Sequence, residues 1–223
     1  MGISMAKYLD YTSPKTKFTA DVNKSRLFTK DRNNYINVLG IAQLNTLENV
    51  SLLDIYISKN NVIEPHVHQN AAELVYCISG AATVSLLNPF TKQIQNYPIT
   101  PGQVANIPQG WWHYEVATAD HTHLLAIFDA KTPEVILGSD LLRLTPPDLM
   151  AHTYCMDENT WKKAIAPIKE SVFIGPSKNC NRNQQPAHYS YYEQNYHNGY
   201  APHASSYQQA YPAAPQYTQG YGG

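Results

Sequence analysis

From Val50 to Asp129 the chain is a succession of short apolar runs, each of strand length and each closed by a turn signal: "VSLLDIYI", "AAELVYCISG", "AATVSLLNP", "QIQNYPITPG", "QVANIPQG", "WHYEVATAD" and "THLLAIFD". Val, Ile, Leu and Tyr dominate the runs, and Gly, Pro, Asn or Asp separate them. That rhythm predicts an antiparallel sandwich or barrel. Helical chemistry appears only after Thr145. There "TPPDLMAHTY" offers Thr145 as an N-cap with Pro146 at the first helical position, and "DENTWKKAI" offers a second start at Asp157. The expected class is all-β, with two short helices following the sheet.

The chain has 223 residues, enough for one well-buried core with material left over. Residues 1–34 are polar with scattered aromatics, Tyr8, Tyr11, Phe18 and Phe28, and read as an irregular N-terminal arm. Residues 35–176 form the β domain, and residues 177–223 are a Tyr-, Gln- and Pro-rich tail. From Lys178 on there is no Val, Ile, Leu, Met, Phe or Trp, while nine of the 17 tyrosines fall there. Such a segment builds no core and is expected to be disordered; its spaced tyrosines suit either a solvated tail or one that joins an assembly.

The net charge of −1, with 15% charged residues, leaves no electrostatic footprint for nucleic acid or an anionic membrane. No apolar leader opens the chain and no run of eighteen apolar residues occurs, so cytoplasmic synthesis without a signal peptide is expected. Cys77, Cys155 and Cys180 are too few and too widely spaced for a disulfide scaffold or a cysteine zinc site.

The stretch "EPHVHQNAAELVYCISG" carries the chemistry. Residues two apart on a strand share a face, so His66 and His68 present their imidazoles side by side. Glu73 lies an odd number of residues beyond His68, and "QNAA" between them gives room for a bend that turns it to the same interior. Two imidazoles and a carboxylate suit manganese or iron, with nickel, copper and zinc less favoured, and ligand type alone does not choose among them. A second segment, "GQVANIPQGWWH", brings a fourth candidate ligand, His113, at the start of a new strand. His121 and His123 also have strand spacing but no partner carboxylate nearby in sequence, and read as surface histidines. His152 falls in a predicted helix.

These two segments resemble the paired motifs of the cupins: His-x-His, three or four residues, Glu, six residues, Gly; then Gly, five residues, Pro-x-Gly, two residues, His. His66, His68, Glu73 and Gly80 match the first, and Gly102, Pro108, Gly110 and His113 the second; Ala117 replaces the asparagine usual four places after the last histidine. The resemblance implies a jelly-roll barrel and a metal held by His66, His68, Glu73 and His113, manganese first and iron next. It is nearest to the oxalate decarboxylase and germin-like branch, with a single domain where those decarboxylases have two, and "LLAIFDAKTPE" followed by "LLRLTPPDLM" is similar to the end of a decarboxylase domain.

The likeness departs where such enzymes handle oxalate. Their arginine three residues before the first histidine is here Ile63, and their Ser-Glu-Asn-Ser lid run corresponds to "AKTPEVILGS", in which Glu134 falls out of register. Both departures argue against oxalate decarboxylation. By period two, Glu115 shares an inward face with His113, which makes it a candidate general acid or base, with a rim position or a hydrogen bond to a ligand histidine as the alternatives. Glu115 and Glu134 are the two catalytic candidates. Two functions follow: a manganese- or iron-dependent decarboxylase- or oxygenase-like enzyme on a small organic acid, or a structural protein whose Tyr-rich tail, similar to tails of bacterial spore coat proteins, joins coat-layer proteins. A lone barrel of this family is expected to form a homo-oligomer.

Overall fold

The computed structural model describes residues 9–177 and residue 180. A 3-10 turn at Val22–Lys24 precedes β1 (Arg26–Asp31), β2 (Asn34–Leu39), β3 (Ser51–Ile57), β4 (Val62–Val67), β5 (Glu73–Ser79) and β6 (Ala82–Asn88). Then come β7 (Gln93–Ile99), β8 (Val104–Ile107), β9 (His113–Ala117), β10 (Thr122–Phe128) and the short β11 (Ile136–Leu137). Three helices follow, α1 (Gly138–Leu144), α2 (Pro147–Tyr154) and α3 (Glu158–Ile165), and β12 (Ile174–Gly175) returns to the sheet. One sheet runs β1-β2-β3-β10-β5-β8 and the other β11-β4-β9-β6-β7, with β12 also paired to β4. All the pairings are antiparallel, and the two sheets make the jelly roll. No helix among the described residues is long and apolar enough to cross a membrane.

The seven runs read as strands are all strands, and their period-two pattern is the reason the core closes. In β10, Thr122, Leu124, Ala126 and Phe128 are buried and the residues between them half-buried. Val75 and Cys77 from β5, Ile55 and Ile57 from β3, and Ala82, Val84 and Leu86 from β6 meet them inside. Cys77 is a small core residue, fully buried.

Three expectations are corrected. The arm is not irregular throughout: Arg26–Asp31 forms β1 and pairs with β2 at the sheet edge, where only Phe28 and Lys30 turn inward. The helices number three, because Gly138–Leu144 coils directly out of β11 without a side-chain cap. Thr145 closes α1, its Oγ1 donating to the Leu141 carbonyl at 2.6 Å, and Pro146 is the N-cap residue of α2 with Pro147 inside it. Asp157 does cap α3, accepting from the Thr160 N–H at 2.7 Å. The tail beyond Ser177 lies outside the described residues, residue 180 excepted.

His123 is also more than a surface histidine. It stacks on Tyr56 at 4.1 Å, Tyr56 stacks on Tyr35 at 4.6 Å, and Arg26 lies 3.6 Å over Tyr35. The His123 Nε2 is 2.5 Å from the Asp54 Oδ1, and Asn37 donates to the other oxygen of Asp54 at 2.9 Å. This ladder across four strands ties β1 and β2 to the barrel. His121 is exposed, and so is His152.

The motif glycines serve the backbone. Gly80 turns the chain from β5 into β6 with φ +72°, and a Cβ there would stand 2.5 Å from the Thr122 Cα. Gly102 also has φ +87° but open space around it. Gly80→Ala should therefore lower the unfolding free energy by about 2 kcal/mol or more, and Gly102→Ala by about 1 kcal/mol. Urea titration of the two variants checks the order.

Candidate metal centre

The two motifs meet where β4 and β9 run side by side. Between Ile63, which faces Glu115, and His66, which faces His113, β4 has one more residue than β9. This bulge accommodates Pro65, which lacks an N–H for the ladder, and it brings His66 inward three residues after Ile63 rather than two. His68 follows the end of β4, Glu73 opens β5, and His113 opens β9. A backbone hydrogen bond of 2.9 Å from Gly110 to the His68 carbonyl holds the two motifs together.

One ligand atom from each of His66, His68, Glu73 and His113 lies within 4.8 Å of the others, and all four residues are buried. Atoms sharing one ion at the usual distance of about 2.1 Å lie within roughly 4.2 Å of each other, so a shift of a few tenths of an ångström suffices. The outer nitrogens decide which atoms face inward. Nδ1 of His66 donates to the Glu64 carbonyl at 2.6 Å, Nδ1 of His68 to the Glu134 carbonyl at 2.7 Å, and Nδ1 of His113 to the Trp111 carbonyl at 2.8 Å. With each Nδ1 holding a proton for a carbonyl, each neutral ring offers its Nε2 lone pair to the interior, the form a metal requires. The donor set therefore fits a divalent transition metal.

Protons occupy the same contacts. His113 Nε2 is 2.9 Å from Glu73 Oε2, and His68 Nε2 is 3.5 Å from the same oxygen. Burial alone would lower the His113 pKa, but the Glu73 hydrogen bond and the charges of Glu115 and Glu73 outweigh it and raise it to about 9. Burial holds His66 well below the usual imidazole range, helped by the charges of His113 and His68, and burial lowers His68 as well. Glu115 is pushed up to about 8, by burial first and by the Glu73 charge next.

Sequence reasoning missed Glu64. Its buried carboxylate accepts from the Ser139 N–H and Oγ, both at 2.8 Å, and from the N–H groups of Val172 and Phe173 at 3.2 and 3.1 Å. It thus pins the start of α1 and the approach to β12 against the strand whose carbonyl orients His66. Its partners lie 75 and more residues away, so no local signal could have marked them. The segment 132–139 is tied down by Asn70, which donates to the Thr132 carbonyl at 3.0 Å and accepts from the Glu134 N–H at 2.8 Å. Glu134 itself is exposed, and its carboxylate accepts from Gln69 at 3.0 Å. Its contact with the centre is through its carbonyl. Glu115 lies on the inner face with His113, 2% exposed, its Oε1 3.9 Å from the His113 Nε2.

The comparisons follow this geometry. The family model described as Cupin matches residues 23–162, and the chain belongs to that family. Germin-like protein subfamily 2 member 1 of Arabidopsis thaliana is 33% identical over 113 residues, 50% of this chain and 51% of the relative. Probable germin-like protein subfamily 2 member 5 of the same plant is 29% identical over 129 residues, 57% of this chain and 60% of the relative. The chain thus spans a little over half the length of these curated relatives. Among solved structures, a mutant of Bacillus subtilis oxalate decarboxylase superposes with TM-score 0.63 at 20% identity, covering 74% of this chain and 44% of that one. The coconut allergen cocosin does so with TM-score 0.62 at 21% identity, covering 69% and 42%. The fold is therefore one that this chain shares with both of these solved structures.

Without metal, His113 and Glu115 both bind protons more tightly folded than unfolded. Their raised values mean that the stability these two groups contribute is fully present at low pH and is lost as pH rises, from about 4.5 to 8 for Glu115 and from about 6.5 to 9 for His113. In chelator, the thermal midpoint should fall between pH 6 and 9, and Glu115→Gln should flatten the fall below pH 8. Calorimetry across that range checks both.

Proposed function

We propose that this cupin holds one divalent transition metal at His66, His68, Glu73 and His113 and acts as a metal-dependent enzyme on a small organic acid. The observation that carries the reading is the set of three Nδ1–carbonyl hydrogen bonds, which leaves three Nε2 atoms and one carboxylate oxygen facing one buried point. Donor type alone does not choose the metal, and manganese, with iron next, is taken from the likeness to the decarboxylases. When bound, the ion would supply Lewis acidity toward a carboxylate oxygen of the acid. The chain supplies the rest. Glu115 is the acid or base within reach of that oxygen, and segment 132–139 limits access of water beside His68. Glu134 orients His68 through its carbonyl and is too exposed to share the proton work.

A second reading is favoured by the tail. The nine tyrosines beyond Lys178, spaced among Gln, Pro and Gly, suit an assembly protein of the spore coat type with the barrel as its rigid body. Tyr76, Ile78 and Val104, exposed on the outer face of β5 and β8, support a homo-oligomer.

Full-length protein expressed in manganese-supplemented medium should carry about one metal per chain. His66→Ala and His113→Ala should remove it while the fold, read by circular dichroism, persists. Metal binding at pH 7 should release at least one proton, the one between His113 and Glu73, and affinity should rise toward pH 9. A wild-type protein that stays metal-free under these conditions rules out the enzyme reading. In the assembly reading, truncation after Ser177 abolishes association in sedimentation velocity and leaves the metal content unchanged.

A further inference from the structure

Glu115 is the acidic side chain of this centre that no neighbouring donor satisfies. It is 2% exposed, and among the described residues neither of its carboxylate oxygens has a hydrogen-bond partner. Its inner-face neighbours across the ladder are aliphatic, Ile63 on β4 and Val84 on β6. One layer above, His66 and Leu86 flank His113 in the same way. Its Oε1 is 3.9 Å from the nitrogen with which His113 faces the centre, so it borders whatever binds beside that nitrogen. A buried carboxyl group between two aliphatic side chains is far more costly unsatisfied than satisfied, and with no donor among the described residues the partner is left to a ligand bound at the centre.

The charge pattern sets the kind of donor. Ile63, directly across from Glu115, stands where the family resemblance puts the arginine that holds oxalate. A guanidinium would have paired with a dicarboxylate at that place; here the layer offers an acceptor and no cation. Among the described residues the one buried lysine or arginine is Lys30, and its Nζ is engaged by the Asn61 side chain. With Glu73 already offsetting one charge of a divalent ion, a monoanion would balance the other, whereas a dianion would leave one negative charge in excess at a buried place.

We propose that Glu115 selects for a ligand bearing a hydrogen-bond donor next to its metal-binding carboxylate, an α-hydroxy acid, and against a fully ionised dicarboxylate. This rests on the metal centre proposed above. A site built to bond a hydroxyl discriminates strongly against an analogue lacking it, because the buried acceptor is then left unpaired.

The test is calorimetric titration of manganese-loaded, full-length protein with glycolate and with oxalate, with metal content measured in every sample. Wild type should bind glycolate more tightly than oxalate. In Glu115→Gln and in Glu115→Leu, an apolar substitute matched to Ile63 and Val84, the ratio of glycolate to oxalate affinity should fall at least tenfold. Metal-loaded wild type that prefers oxalate overturns the assignment, whether or not either variant folds. So does an unchanged ratio in a variant that retains its metal. Wild type that takes up no manganese overturns the metal centre itself, a result distinguishable from either.

Discussion

Three imidazole N–H groups donating to three backbone carbonyls fix the chemistry of this barrel. Each bond fixes a ring orientation and keeps a proton on the outer nitrogen, so the inner nitrogens face one point before any ligand arrives, and that of His113 has only its proton toward Glu73 to give up. The carbonyls belong to Glu64, Trp111 and Glu134, which lie in the bulged strand, the turn before β9 and the segment leading to β11. The bulge at Pro65, the positive-φ turn at Gly110 and the Asn70 tether are therefore conditions of the centre as much as features of the fold.

Much of this was legible in the sequence, for reasons that differ by element. Strands β3 and β5 to β10 announce themselves because their inner residues are apolar at period two and their ends carry turn residues. Strand β1 does not, since an edge strand with only Phe28 and Lys30 turned inward has no alternation to read. Helix α1 grows out of a strand without a cap, and of two adjacent prolines it is Pro147 rather than Pro146 that opens α2. The spacing of His66, His68, Glu73 and His113 was readable because each lies on or beside a strand end facing one interior. Glu64 and the Asp54–His123 contact were not, because their partners are distant in the chain and meet only once the sheets close.

In the proposed reading, the same barrel layer is where a shared fold would part from a shared reaction. Ile63 and Glu115 face each other across β4 and β9, one rung from the pair His66 and His113. The candidate ligands and the proposed recognition pair occupy successive rungs of one ladder, so substitution at one rung need not rebuild the other. A TM-score of 0.63 is accordingly a statement about strands and says nothing of that rung.

The clamp around Glu64 also redraws the edge of the working module. The family match ends at residue 162, yet two of the four donors to this carboxylate are the amides of Val172 and Phe173, and β12 at Ile174–Gly175 closes the flank of β4. The last dozen residues of the domain thus belong to the scaffolding of the first histidine. Grafted or minimised at the family boundary, the barrel would keep every candidate ligand and lose the brace that aims one of them; the smallest transferable unit runs to Gly175.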